Sequence, residues 1–117
     1  MAAAEHNIII EQGADYIRTL TIRDGGGVIV DLSTGLASDF KGDIRRAHSG
    51  PLATSFTMTF VTDGTDGSIL ISLTDDQTNA LEYDTKYIYD IFWVKPEGIV
   101  ERLLEGEVSV VERITRF

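Results

Sequence analysis

The chain has 117 residues and a formal net charge of −9, a length that suits one domain and is too short for two. It contains no cysteine, which excludes disulfide bonds and thiolate chemistry, and its only adjacent basic pair, Arg45-Arg46, is too small a cluster for nucleic-acid binding. No stretch approaches the roughly 18 apolar residues of a membrane span, and MAAAEHN does not resemble a secretory signal, so we expect one domain, residues 1–117, made in the cytoplasm without a nucleic-acid or membrane partner.

The first part of the chain predicts short strands separated by glycine-containing turns. NIIIE is a short apolar run, and DYIRTLTIRD alternates apolar and polar residues with the period of two that is typical of a half-buried strand. GVIVDL, which follows three consecutive glycines, predicts a further strand, and FKGDIRR predicts another with a weaker signal. Residues 47–53 are expected to form an exposed loop.

The middle of the chain carries the clearest alternation. In TSFTMTFV, the large apolar residues Phe56, Met58 and Phe60 fall on one face and small polar residues fall on the other. SILISL repeats the pattern with Ile69 and Ile71. Turn signals such as Asp-Gly and Pro-Glu-Gly separate these runs, and their spacing is typical of a β-sandwich or barrel.

One short helix is predicted after SILISL. Thr74 followed three residues later by Gln77 matches a capping box, in which each side chain satisfies a backbone donor of the first turn. Asp75 and Asp76 favour the positive N-terminal end of the helix. Leu81 is expected to anchor the end of the helix in the core.

The most aromatic run, KYIYDIFWV, is largely apolar on both alternating faces. Such a strand is more often central and covered on both sides than an exposed aromatic binding surface. A tyrosine that follows a helical turn at the start of a strand also fits a tyrosine corner, for which Tyr87 is the first candidate and Tyr83 the second. Gly106, within the last strand, predicts a bulge or the close approach of another backbone.

No catalytic, metal-binding or cofactor-binding residues emerge from the motifs. The chain contains no GxSxG nucleophile elbow, and neither histidine has an informative neighbourhood. Asp63 and Asp66 supply hard oxygen atoms that calcium favours, but a tight turn explains them more simply. Glu105 and Glu107 lie on one strand face and are interpreted as solvated charges rather than as an acid–base pair.

Taken in order, these segments resemble the small immunoglobulin-like structural proteins of tailed bacteriophages, including the N-terminal domain of baseplate upper proteins. The similarity extends from about Asn7 to Val111, with departures at STGLASDF and at the charged turn Glu82 to Lys86. The pieces that carry the resemblance are Glu11-Gln12-Gly13, Asp31-Leu32 with Gly35, Leu73-Thr74 with Leu81, Tyr87-Ile88-Tyr89-Asp90 and Leu104-Glu105-Gly106-Glu107-Val108.

The resemblance implies an all-β, antiparallel, immunoglobulin-like β-sandwich of about seven strands with one short helix. It further implies a non-enzymatic virion protein of a tail or baseplate that contacts copies of itself and other virion proteins, without a cofactor. A capsid decoration protein and a carbohydrate-binding module that uses Trp93 remain alternatives. The ends, residues 1–7 and 112–117, are expected to be flexible arms, and the residues expected to contact partners are Arg45, Arg46, Arg113, Arg116 and Phe117.

Overall fold

The computed structural model describes residues 4–36, 39–47 and 50–115. It confirms an all-β sandwich of two sheets with one short helix. The described residues form nine strands rather than about seven, because TSFTMTFV contributes to two strands and residues 4–5, expected in a flexible arm, form a short strand of their own. The strands are β1 (Ala4–Glu5), β2 (Ile8–Glu11), β3 (Tyr16–Thr21), β4 (Phe40–Arg45), β5 (Leu52–Ser55), β6 (Thr57–Phe60), β7 (Ser68–Leu73), β8 (Tyr87–Val94) and β9 (Val100–Val111).

The large sheet has the strand order β1-β9-β8-β4-β5, and β2 also pairs with β9. Strands β4, β5, β8 and β9 pair antiparallel, whereas β1 and β2 pair parallel with β9. The aromatic strand β8 is therefore central, as predicted. The sheet departs from a purely antiparallel arrangement only at its N-terminal edge.

The small sheet has the order β3-β7-β6 and is antiparallel throughout. Its strands match the alternation in DYIRTLTIRD, SILISL and TMTF. Ile69, Ile71 and Leu73 of β7 are buried, as the period of two predicts. The small sheet covers one face of the large sheet.

The predicted strand TSFTMTFV divides between the two sheets. Residues 52–55 pair with β4 in the large sheet, whereas residues 57–60 pair with β7 in the small sheet. Phe56 lies at the crossing, is buried, and donates its backbone N–H to the carbonyl of Gly42 at 2.9 Å. A Cβ at Gly42 would lie 2.9 Å from the Phe56 ring, so the glycine leaves room for this ring.

The helix α1 (Asp75–Asn79) has the predicted capping box. The Thr74 hydroxyl accepts from the backbone N–H of Gln77 at 3.2 Å, and the Thr74 N–H donates to Gln77 Oε1 at 2.8 Å. The amide of Gln77 also donates to Ser55 and Thr54 of β5, at 3.1 and 2.9 Å. The helix therefore ties the two sheets together, and Leu81 behind it is buried as expected.

The core lies between the sheets and includes residues of both. A tilted pair of rings, Tyr16 and Phe56, joins the sheets, and the ring of Tyr89 meets Phe56 edge-on. The buried apolar residues are Ile8, Ile10, Tyr16, Ile22, Leu32, Phe40, Ile44, Phe56, Met58, Ile69, Ile71, Leu73, Leu81, Tyr87, Tyr89, Ile91, Val108 and Val110.

Three local predictions are wrong. GVIVDL is not a strand, and its Ile29 forms only an isolated bridge to Arg23. Backbone hydrogen bonds within this segment close a local hairpin and do not join it to either sheet. The N-terminal arm is shorter than expected, since residues 4–5 pair with β9. The loop after β4 ends before Leu52, where β5 begins; residues 48 and 49 lie outside the described part.

Candidate interaction surfaces

The tyrosine corner predicted at Tyr87 is confirmed. Its ring is 2% exposed, and its hydroxyl accepts a hydrogen bond from the backbone N–H of Glu82 at 2.9 Å. The carboxylate of Glu82 also binds Arg46 at 2.8 Å. The bond joins the loop after α1 to the start of β8. Tyr83, the second candidate, is 51% exposed.

Tyr89 holds the N-terminal segment against the large sheet. Its hydroxyl donates to the backbone carbonyl of His6 at 2.5 Å, and burial, together with nearby Tyr16, raises the pKa of Tyr89 to about 12. A Cβ at Gly106 would lie 2.2 Å from this same carbonyl oxygen. The predicted close approach of another backbone to Gly106 is thus confirmed.

The other face of β8 is not covered by a second layer. Ile88 and Phe92 are half-buried and Val94 is exposed, so the prediction that β8 is covered on both sides is wrong. The guanidinium of Arg102 lies 5.2 Å above the Phe92 ring. Trp93 points to the inner side, where it stacks on Phe40 with 5.3 Å between ring centroids.

Strand register places four carboxylates side by side on the outer face of the large sheet. Glu5 pairs with Glu105, Glu105 with Asp90, and Asp90 with Asp43. We call Glu5, Asp43, Asp90 and Glu105 the acidic row. Like charges directly opposite each other on neighbouring strands are destabilising, so this row needs compensating charge.

Two arginines supply that compensation. Arg102 lies 3.5 Å from Asp90 and 3.0 Å from Glu105, and Arg45 lies 3.2 Å from Asp43. The hydroxyl of Ser55 also donates to Asp43 at 2.8 Å. These groups surround a shallow groove of about 330 Å³. The surface therefore combines paired charges with half-buried apolar residues, a composition that suits a protein contact.

The next row along the strands is basic. Phe92 of β8 is flanked by Lys41 of β4 and Arg102 of β9; we call Lys41 and Arg102 the basic row. Sequence reasoning missed both rows, because neither motif nor periodicity reveals which residues of distant strands face each other. The alternation within each strand, which shows which of its residues share a face, was the only signal for these rows in the sequence.

Of the residues expected to contact partners, Arg45 lies on the outer face and Arg46 does not. Arg45 also donates to the carbonyl of Gly50 at 3.0 Å. Arg46 is half-exposed and pairs with Glu82, which with Tyr87 raises the pKa of its guanidinium. The structure separates this basic pair, because Arg45 is the last residue of β4 and Arg46 follows it in a bend, where it faces the loop after α1.

The C-terminal residues lead away from the sandwich. Arg113 packs over Gly13, and its backbone N–H donates to Gln12 Oε1 at 3.4 Å, so the segment is attached as far as this residue. Ile114 is then 95% exposed. Arg116 and Phe117 lie outside the described residues.

The acidic loop after β6 forms a turn. Asp63 Oδ1 accepts hydrogen bonds from the backbone N–H and the hydroxyl of Thr65 at 3.0 and 2.6 Å, and these bonds lower the pKa of the Asp63 carboxyl. Asp66 likewise accepts from the N–H of Ser68 at 3.1 Å. Within residues 4–36, 39–47 and 50–115, no cluster of three or more acidic or histidine side chains is arranged to hold a metal ion. No helix in the same ranges could span a membrane.

A groove of about 770 Å³ opens between the two sheets. Leu20 of β3 lines one side and Trp93 and Leu104 of the large sheet line the other. Lys95 lies at its rim and pairs with Glu101 at 2.8 Å, which raises the pKa of the ammonium group. The groove gives Trp93 limited contact with solvent.

No protein-family model matches the chain, and no curated protein matches it.

Proposed function

We propose that this chain is a non-enzymatic structural protein of a bacteriophage virion that acts through protein contacts in the tail or baseplate. The resemblance of its turn, cap and core segments to phage immunoglobulin-like proteins supports this role. The tyrosine corner at Tyr87 adds a structural feature of immunoglobulin-like sandwiches.

The observation that carries the proposal is the outer face of the large sheet. Half-buried Ile88 and Phe92 lie among paired charges there, and an apolar and aromatic centre surrounded by charged groups has the composition of a protein contact. Exposed Ile114, near the C-terminus, offers a second contact, and Phe117 at the end of the chain remains a candidate anchor.

Purified particles test the proposal. The chain would carry a short tag in the phage that encodes it, and density-gradient particles would be analysed by quantitative mass spectrometry and immunogold labelling. We expect the protein to remain with the particles at a copy number fitting tail symmetry. Labelling over the whole capsid would instead support a decoration protein, and absence from the particles would refute a virion role.

The carbohydrate-binding alternative rests on Trp93, which borders the groove between the sheets. One face of its ring is taken by Phe40, and the Lys95 ammonium lies 5.3 Å from the ring centre. Titration with oligosaccharides while Trp93 fluorescence is followed tests this alternative. Saturable quenching of the fluorescence would favour sugar binding, and unchanged fluorescence would rule out a carbohydrate site at Trp93.

A further inference from the structure

We propose that the outer face of the large sheet binds a second copy of this chain, and that the two copies pack face to face about a two-fold axis. The inference deepens the assembly role proposed above and rests on it. Its basis is the order in which strand register arranges charge on this face.

The acidic and basic rows are neighbours along the strands. On β4, Lys41 and Asp43 are two residues apart and share the outer face, with a separation of about 6.6 Å along the strand. In the pairing of β8 with β9, the register shifts between Ile91 and Phe92, so that Phe92 pairs with Arg102 and Arg102 lies on the same face as Glu105. The face thus carries a negative band with a positive band on one side, while on the other side Arg45 is paired with Asp43 of its own chain.

A two-fold interface must be complementary to itself. An axis that runs across the strands between the two rows turns each acidic row onto the basic row of the other copy. Lys41 of one copy then faces Asp43 of the other, and Arg102 faces Glu105. An axis parallel to the strands would instead place carboxylate on carboxylate, so the charges select one of the two orientations.

Two charges on this face remain available for a second copy. Among the described residues, Lys41 and Glu5 form no ion pair, although both are exposed on the outer face. The other charges of the two rows are partly compensated within the chain. A carboxylate of the second copy that faces Lys41 would therefore form a new ion pair with it.

The size of the face fits a weak dimer. The five strands of the large sheet lie about 4.8 Å apart, and the eight residues of β8 extend about 3.3 Å each. The outer face therefore covers about 500 Å² per copy. The total of about 1,000 Å² is at the lower limit of specific interfaces. We therefore expect a dissociation constant on the order of 10⁻⁵ M, weakened by salt.

Sedimentation equilibrium with charge-reversal variants tests the proposal. Lys41→Glu places like charges at both symmetric contacts, and we expect it to raise the dimer dissociation constant by about tenfold or more. Arg23→Glu makes the same change in net charge on the hairpin after β3, away from the outer face, and should leave the constant within about twofold. Circular dichroism confirms that each variant is folded.

A mixing experiment tests the specific pairing. Lys41→Glu and Asp43→Lys should each dimerise poorly alone, whereas their mixture forms a heterodimer in which both facing pairs are again opposite in charge. If Asp43→Lys does not fold, the comparison of Lys41→Glu with Arg23→Glu decides the question. Equal dimerisation of Lys41→Glu and wild type, or a wild-type monomer at millimolar concentration, would overturn the proposal.

These outcomes separate the two proposals. A monomeric protein that is nevertheless found in purified particles would remove the self-association face and leave the virion role intact. A protein that dimerises through Lys41 and Asp43 but is absent from particles would support the self-association face and refute the virion role.

Discussion

Tyr87 and Tyr89 point to the same side of β8, but their hydroxyl groups form different hydrogen bonds. Tyr87 accepts a backbone N–H, whereas Tyr89 donates to a backbone carbonyl. Each bond fixes a segment outside β8: the loop after α1 in one case and the residues between β1 and β2 in the other. Buried tyrosines that carry such bonds act as local clamps.

Replacement of Tyr87 by Phe removes the clamp on the loop after α1. The N–H of Glu82 then loses its partner while the ring still packs, so we expect a loss of about 1–3 kcal/mol in the free energy of unfolding. Urea denaturation measures this change. Tyr83→Phe is the matched control, because Tyr83 is exposed and should change stability by less than about 0.5 kcal/mol. Equal effects of the two substitutions would contradict the assigned role.

The raised pKa of Tyr89 predicts a loss of stability at high pH. The phenol keeps its proton up to about pH 12 in the folded protein but only up to about pH 10 when unfolded. The folded state therefore binds the proton more tightly, its stabilisation is complete below about pH 10, and it falls as pH rises toward 12. Tyr89→Phe should show a shallower decline over this range in urea denaturation. An unchanged decline would contradict the prediction.

At the scale of the strands and helix, local patterns were enough where the signal lies within one segment. Alternation located β3, β4, β6, β7 and β8, and the Thr74–Gln77 pair located the helix start. GVIVDL was misassigned because its apolar residues pack around a hairpin without forming a ladder. The change of sheet at Phe56 was missed because uninterrupted alternation does not show that a strand changes partners.

The candidate surface was less predictable than the strands. The parity of β8 identified Tyr87 and Tyr89 as neighbours in space, and the core interpretation holds for their side of the strand. The acidic row depends on how β1, β4, β8 and β9 are aligned. Register of this kind is set by the folded sheet and its turns, so the sequence contains no local sign of it.

The helix cap should contribute more than an isolated capping box because Gln77 also binds β5. We expect Thr74→Ala to cost about 1 kcal/mol and Gln77→Ala to cost about 1–3 kcal/mol, since Gln77 loses the cap and its bonds to Thr54 and Ser55. Asn79→Ala, at an exposed helix position, should have an effect below about 0.5 kcal/mol. Thermal or urea unfolding measures all three, and a larger cost at Thr74 than at Gln77 would contradict the link to β5.

Gly106 tests how the N-terminal strands attach to β9. In Gly106→Ala, the new Cβ meets the backbone carbonyl of His6, which cannot move without disturbing β1 or the bond to Tyr89. We expect destabilisation of about 1–3 kcal/mol. Gly25→Ala is the control, because nothing lies within 4 Å of its Cβ. Equal stability of the two variants would show that the N-terminal segment is not held as described.

At the scale of the whole molecule, one core joins the two sheets, and the chain crosses between them at Phe56 within a few residues. The strand at the N-terminal end pairs with the last strand, so completion of the large sheet brings together residues about a chain length apart. Sandwiches dominated by such distant pairings fold in milliseconds to seconds. Because the two sheets share one core, neither sheet could keep its apolar residues buried if the other sheet unfolded.

This arrangement predicts a single cooperative unfolding transition. Trp93, the only tryptophan, stacks on Phe40 in the large sheet, so its fluorescence reports that sheet, whereas far-ultraviolet circular dichroism reports both. Because the sheets bury the same core residues, the two signals should change at the same urea concentration. A fluorescence transition clearly separated from the dichroism transition would mean that the large sheet unfolds by itself, and that residues 4–115 do not behave as one domain.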